Sequence, residues 1–374
     1  MTTRLERIEV PDAVAAEERA RRVVLAAFAV REPVPRPRRR RRVAIGVVLA
    51  ACAVALAAAS PPGMAVVDRV REVVGVERSA PALFSLPAPG RLLVASDSGV
   101  WVVGTGGEKR LLAGYSEASW SPFGRFVVAT REHELVALEP EGDIRWTLAR
   151  PAPHGARWTG TRTDTRVAYV DRSGLRVVAG DGTGDHLVAS AGRAPVAWRP
   201  GSAHVLAYVV ADGLHVRDVD TGRVLARARS PLRTGLHTEL EWSADGRRLL
   251  VVNDGVVLVF ASDGTLLTRS NRESGRVIDA AFRPRSHQVL VARFRGGGQS
   301  TVSELESGRT VFSGTGVFDE ITPSPDGRWL LVEWRTADQW VFVRLQGHRV
   351  IRAVSGIAKQ FRGKAVVEGW CCAR

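Results

Sequence analysis

The chain of 374 residues is 45% hydrophobic and 25% charged, with a formal net charge of +14 at pH 7. These proportions exclude intrinsic disorder and collagen-like sequence, and three cysteines are too few for a disulfide-stapled miniprotein. Only three of the 53 basic residues are lysines (Lys109, Lys359 and Lys364), so arginine dominates. With the many alanines, valines and glycines, this reads as a G+C-rich codon bias, and the basicity is not by itself a nucleic-acid footprint.

Residues 1–42 form a basic tail with twelve arginines and six acidic residues. Within it, Asp12 caps an amphipathic helix whose apolar side carries Val14, Ala20, Val23, Val24, Ala27 and Phe28. Glu17, Glu18, Arg19, Arg21 and Arg22 occupy the other side, and Pro33 and Pro35 end it in an extended linker. Arg36 and Arg38 to Arg42 then stand directly before residues 43–59, which carry no charge. This run is just long enough to cross a bilayer, and the arginine block keeps its N-terminal side in the cytoplasm. The span is assigned to residues 43–60. A cleaved signal peptide would need a 42-residue leader, and the lipobox-like Leu49-Ala50-Ala51-Cys52 is followed by further apolar residues rather than polar ones. Residues 61–82 read as a stalk, with a valine-faced helix over 64–76.

From residue 83 a unit of about forty residues recurs. An aromatic residue ends a strand, a Pro/Gly/Asp turn follows, and then an arginine leads into branched apolar residues. The clearest copies are Trp242-Ser-Ala-Asp-Gly-Arg-Arg-Leu-Leu-Val and Trp120-Ser-Pro-Phe-Gly-Arg-Phe-Val-Val-Ala. Others begin at Trp158, Trp198 and Phe282, and at Pro323 before Ser324-Pro-Asp-Gly-Arg-Trp-Leu-Leu-Val. These anchors are 38, 40, 44, 40 and 41 residues apart. A second marker, the glycines of later turns at 142, 182, 222, 264, 308 and 347, keeps the same period. A first unit over Leu86 to Leu112 keeps Gly90-Arg91-Leu92-Leu93-Val94 but lacks the aromatic anchor. A final half unit surrounds Phe361, the sixth aromatic anchor in this reading.

Four short strands per unit make a sheet that cannot bury both faces alone. Radial stacking solves this, so residues 83–374 are expected to form an all-β propeller. Seven turn-bearing units give seven four-stranded blades, with six or eight as alternatives, and the half unit near Phe361 closes the ring against the first.

The Trp-Ser-Pro-Asp-Gly-Arg-Leu-Leu-Val type of unit resembles the WD40-like repeats of TolB and its periplasmic relatives. The Gly-His and Trp-Asp pairs of true WD40 repeats are absent from their expected places. The layout as a whole resembles membrane-anchored propellers of actinobacteria. This resemblance implies a fold and leaves function open.

The residues themselves offer little catalytic chemistry. The eight histidines form no metal-binding spacing, and there is no Gly-x-Ser-x-Gly elbow and no phosphate-binding loop. Gly296-Gly297-Gly298 reads as a hairpin tip and Asp181-Gly-Thr-Gly-Asp185 as a turn. Trp120, Trp158, Trp198, Trp242, Phe282 and Phe361 recur at one place in each unit, which fits packing between blades rather than a ligand cage. Cys371 and Cys372 form an adjacent pair open to a disulfide or redox role.

The chain is therefore expected to be a single-pass membrane protein with its N-terminus in the cytoplasm and its propeller outside. It is read as a non-enzymatic scaffold for a protein or envelope-polymer partner, held to the lipid bilayer by 43–60, with no cofactor, metal or nucleic acid. Two alternatives stand beside it. One is a transmembrane regulator whose residues 1–42 bind a cytoplasmic protein such as a sigma factor. The other is a hydrolase or lyase acting at the channel mouth, which a converging Asp/Glu/His cluster would favour.

Overall fold

In the computed structural model, residues 85–374 are described, except for 162–163, 212, 229–237, 271–274 and 373–374. The expected tail helix, the apolar span over 43–60 and the stalk over 61–82 lie outside the described residues. Among the described residues, no helix is long and apolar enough to cross a membrane.

The described residues form seven antiparallel four-stranded sheets. Blade 1 contains β1 (Arg91–Ser96), β2 (Gly99–Val103) and β3 (Lys109–Ala113). Blade 2 runs through β4 (Glu117–Trp120), β5 (Val127–Arg131), β6 (Glu134–Leu138) and β7 (Ile144–Ala149). Blade 3 follows with β8 (His154–Gly160), β9 (Thr165–Asp171), β10 (Gly174–Ala179) and β11 (His186–Ala189). Blade 4 holds β12 (Arg193–Trp198), β13 (Val205–Val210), β14 (Gly213–Asp218) and β15 (Val224–Ala228). Blade 5 holds β16 (Thr238–Trp242), β17 (Arg248–Asn253), β18 (Val256–Ala261) and β19 (Leu266–Arg269). Blade 6 is β20 (Arg276–Phe282), β21 (Val289–Arg295), β22 (Gln299–Glu304) and β23 (Thr310–Thr315). Blade 7 is β24 (Phe318–Pro323), β25 (Trp329–Trp334), β26 (Gln339–Arg344) and β27 (Ile351–Ser355). A short helix α1 (Ile357–Phe361) then leads to β28 (Ala365–Cys371), which returns to pair with β1 as the fourth strand of blade 1.

The expected latch is therefore present. It places Leu92 opposite Trp370 and Val94 opposite Val367. Blade 1 lacks an aromatic anchor in its own stretch of sequence because Trp370 supplies it from the far end of the chain. Phe361 does not occupy that position. It ends α1, where its ring packs 5.8 Å edge-on from Trp101 and 5.0 Å from Trp340. The closing strand runs antiparallel to β1, so the residue facing Leu92 must come late in β28, well after Phe361.

Central strands are buried on both faces because each blade is sandwiched between two others. All six residues of β13 and of β25 are buried. Among the described residues, the apolar side chains fall into seven clusters, and each cluster joins one pair of successive blades. The last joins blade 7 to blade 1 through Trp329, Trp340 and Phe342 against Leu92, Val94 and Trp370. Seven interfaces for seven blades is the requirement of a closed ring.

The turn after the inner strand in blades 5 and 7 explains the clearest copies of the repeat. Ser324, fully buried, accepts the backbone N–H of Trp329 at 2.9 Å and donates to Asp326 Oδ1 at 2.6 Å. Asp326 in turn accepts the N–H of Arg328 at 3.0 Å. Ser243, Asp245 and Arg248 repeat the arrangement in blade 5. The glycine that follows the aspartate, Gly327, sits at φ +68°, a left-handed conformation that favours glycine. Ser324→Ala removes the acceptor of a buried N–H, so urea unfolding is expected to show a loss of about 1–3 kcal/mol. An unchanged midpoint would remove this turn from the account of stability.

Strand direction sorts the loops by end. Turns from first to second and from third to fourth strands lie at one end of the ring, here the turn end. Turns from second to third strands and the blade-to-blade connections lie at the other, the crossover end. The polypeptide reaches β1 at the turn end, where the Leu86 N–H donates to the Thr105 carbonyl in the β2–β3 turn at 2.8 Å.

Candidate functional site

The inner strands β4, β8, β12, β16, β20, β24 and β28 surround a central cavity of about 560 Å³. Among the described residues, its walls carry six carboxylates, Glu117, Glu239, Glu241, Asp279, Glu320 and Glu368, against one cation, Arg157. A chain with a net charge of +14 thus lines its channel with acid.

The register of the repeat explains how they meet. Glu117, Glu239, Asp279 and Glu320 each stand three residues before the anchor position of their unit, at Trp120, Trp242, Phe282 and Pro323. Strand alternation gives that position one orientation in every blade. The anchors lie at the turn end of the inner strands, and Glu117, Glu239, Asp279 and Glu320 lie three residues further from that end, because all inner strands run the same way.

Several of these carboxylates also join blade to blade. Glu117 accepts the N–H of Gly155 at 2.7 Å, and Glu241 accepts that of Phe282 at 2.8 Å. Asp279 accepts the N–H of Ile321 at 2.7 Å and that of its neighbour Ala280 at 2.6 Å. Glu333 on β25, behind the channel wall, accepts the N–H of Val367 at 2.8 Å. Each of the four inter-blade bonds crosses from one blade to the next, and the last spans the ring closure.

Burial raises the proton affinity of four of the channel carboxylates, Glu239, Glu241, Asp279 and Glu368. Glu241, walled in by the sheets, is pushed up to about 8, and the nearby Asp279 adds to the effect. Burial likewise takes Glu333 up to about 8 and raises Glu368. Glu239 and Asp279 are hydrogen-bonded side chain to side chain, and both are raised by burial and by each other's charge or that of neighbouring carboxylates. Such a pair holds one proton between two oxygens and strengthens its demand for a positive partner as pH rises. Arg157 opposes the trend for Glu239 and Glu368. Among the described residues, no three His, Cys, Asp or Glu side chains converge closely enough to hold a metal ion.

The sequence-derived residues fall elsewhere. Trp198 and Trp242 are buried, and each donates its indole N–H to the preceding blade, to Arg157 O at 3.0 Å and Ala197 O at 3.1 Å. Phe282 is buried between blades 5 and 6. Trp120 packs between blades 1 and 2 beneath the Arg91 guanidinium, 5.0 Å from its ring, and Trp158 stacks with Phe126 of blade 2. Cys371 and Cys372 are joined as a vicinal disulfide at the end of β28, beside the Ser121–Gly124 turn of blade 2. Asp181 holds the backbone of its turn through Thr183, while Asp185 accepts from Tyr169 at 2.6 Å and from Arg150 and Arg176. Among the described residues, His154 and His186 share blade 3 and His204 and His215 share blade 4, and none joins a group of three metal-binding side chains.

Sequence reasoning missed the carboxylates. An acidic residue three before the anchor in four of seven units was the available signal.

No family profile matches the chain, and no curated protein matches it. Among solved structures, a chain in the crystal structure of the mitotic checkpoint complex is similar over 73% of this chain and 85% of that one, at 12% identity and a TM-score of 0.51. The β-propeller domain of Cps50 (Swd1) from Myceliophteria thermophila covers 66% of this chain and 94% of that one, at 16% identity and a TM-score of 0.49. Sheet order, ring closure and the likeness to the first of these agree that the chain carries a seven-bladed β-propeller.

Proposed function

We propose that this chain is a membrane-anchored scaffold whose extracytoplasmic propeller binds a partner protein by taking a cationic side chain into the carboxylate-lined mouth of its channel. The observation that carries the reading is the set of six carboxylates against one arginine among the described residues that line the cavity. A basic surface around an acidic channel concentrates its attraction for cations at one place. The uncharged run over 43–59 behind its arginine block supports the anchor and the orientation. The Trp-Ser-x-Asp-Gly-Arg turns support kinship with TolB-like propellers. Crosslinking the full chain in its own cells and identifying partners by mass spectrometry tests the reading. Partners recovered with the natural chain should be lost with Glu239→Gln/Asp279→Asn, and an unchanged partner set would contradict it.

A second reading has one observation in its favour. Glu239 and Asp279 share a proton inside the cavity, an arrangement suited to acid–base chemistry in a hydrolase or lyase. Turnover of envelope polysaccharides or peptides by the full chain, abolished by Asp279→Asn, would establish it. Absence of turnover with both substrate classes would favour the scaffold.

A further inference from the structure

A second cavity, of about 320 Å³, opens at the crossover end where blade 7 meets blade 1, and it shares no lining residue with the channel cavity. Its volume is at the lower end of the range of small-molecule sites. Glu333, Gln339 and Trp340 of blade 7 line it together with Ile357 of α1 and Lys364, just before β28. The surrounding backbone is tied down. Asp338, in the β25–β26 turn, accepts the Ala358 N–H at 2.8 Å through its carboxylate and the Gly356 N–H at 2.9 Å through its carbonyl. Asp319 of β24 pairs with Arg335 of the same turn at 3.0 Å. Three of the lining side chains are almost wholly buried, Glu333 and Trp340 at 4% exposure and Gln339 at 3%. Glu333 Oε1 accepts the Val367 N–H at 2.8 Å, and Gln339 Nε2 donates to Ser355 Oγ at 3.0 Å. Among the described residues, Glu333 Oε2, Gln339 Oε1 and the indole N–H of Trp340 meet no partner, yet none of the three atoms is sealed in by its neighbours. Two acceptors and a donor therefore open on the cavity, a state in which native structures rarely leave buried polar groups.

The charges around the cavity fix the kind of ligand. Beyond burial, Asp319, Asp279 and Glu368 all raise the proton affinity of Glu333, so the field there favours a cation. An ammonium group relieves this repulsion and donates to Glu333 Oε2 and Gln339 Oε1. Trp340 needs an acceptor, and the Lys364 side chain, exposed and without an ion-pair partner among the described residues, offers a positive charge to the same cavity. A carboxylate answers both. We infer that this cavity binds a free amino acid, with its ammonium group between Glu333 and Gln339 and its carboxylate toward Trp340 and Lys364. A neutral polyol would satisfy the open hydrogen-bonding atoms but leave the carboxylate repulsion and Lys364 unanswered. The site meets the ring closure at two points, since Glu333 holds Val367 of β28 and Lys364 leads into that strand. Occupancy is therefore expected to stabilise the closed ring by mass action.

The test follows the thermal unfolding midpoint of the full chain in detergent micelles while each of the common amino acids is added in turn. At least one is expected to raise the midpoint in a concentration-dependent way. The matching amine, which lacks the carboxylate, and the matching acid, which lacks the ammonium group, should each bind about tenfold or more weakly than that amino acid in calorimetric titration. Lys364→Ala, altered at an exposed position, should weaken the amino acid about tenfold while leaving the amine unchanged. Glu333→Gln, which keeps an oxygen for the Val367 N–H, should weaken the amino acid and the amine alike. The channel variant Glu239→Gln/Asp279→Asn should bind the amino acid as the natural chain does, which separates this site from the channel. If no amino acid moves the midpoint, the cavity holds only water and the inference is overturned. Equal binding of the amino acid, the amine and the acid, or binding untouched by both Lys364→Ala and Glu333→Gln, would overturn it as well.

Discussion

Trp370→Ala is expected to lower the unfolding free energy by about 3–5 kcal/mol, a large share of the 5–15 kcal/mol typical of a folded domain. The side chain is buried in the cluster that joins blade 7 to blade 1, and its ring meets Phe342 edge-on at 5.8 Å. It also stands opposite Leu92 in the pairing that supplies blade 1 with its fourth strand. The cavity would open at the seam where the ring closes, so its cost adds to weaker pairing of β28 with β1. Removing residues 365–374 altogether should go further. Blade 1 would keep three strands, β1 would become an unpaired inner edge, and the Val367 N–H would no longer meet Glu333. Such a chain should unfold without a single cooperative transition and be cut rapidly by protease within blade 1. A truncated chain that melts like the natural one would show that closure by β28 is dispensable.

Two buried glutamates, one lining the channel and one behind its wall, make stability fall as pH rises. For Glu241 and Glu333 the folded values of about 8 lie above the ordinary glutamate value of 4.5. Between those limits the folded state binds more protons than the unfolded one, so the unfolding free energy decreases with pH. Their contribution is fully present below about pH 4.5 and is lost as pH passes through about 8. Chemical unfolding at pH 6 and pH 9 should therefore show a weaker fold at the higher pH. Glu241→Gln keeps an oxygen for the Phe282 N–H but cannot ionise. It should stabilise the propeller at pH 9 by an amount on the order of a few kcal/mol and do little at pH 5. If the natural chain and the variant respond equally to pH, Glu241 is not ionising inside the channel.

The fold was legible because its punctuation is local. A buried serine, an aspartate and a glycine build the turns of blades 5 and 7 from adjacent residues, so Trp242 to Arg248 reads as the same device as Ser324 to Trp329. Blade 1 was harder, because its anchor, Trp370, lies across the whole chain from Leu92 and only strand pairing reveals it. Phe361 filled the gap in the sequence pattern, yet it belongs to a connecting helix. The acidic channel was hidden for a different reason. Glu117 or Glu320 alone looks like an ordinary solvated residue. Only the direction of the inner strands shows that residues three before each anchor face one another. The hydrogen bonds from Glu241 and Asp279 into neighbouring blades depend on how the sheets pack, and no spacing in the sequence encodes them.

The proposed function turns on whether the channel takes a cationic group. Calorimetric titration of the full chain with a hexa-arginine peptide tests it most directly, because a chain of net charge +14 repels such a peptide on average and binding lost with the channel substitutions locates the acidic site. The account predicts binding that tightens between pH 6 and pH 8.5, releases protons, and weakens about tenfold or more in Glu239→Gln/Asp279→Asn. No binding, or binding that neither pH nor the double substitution alters, would contradict it.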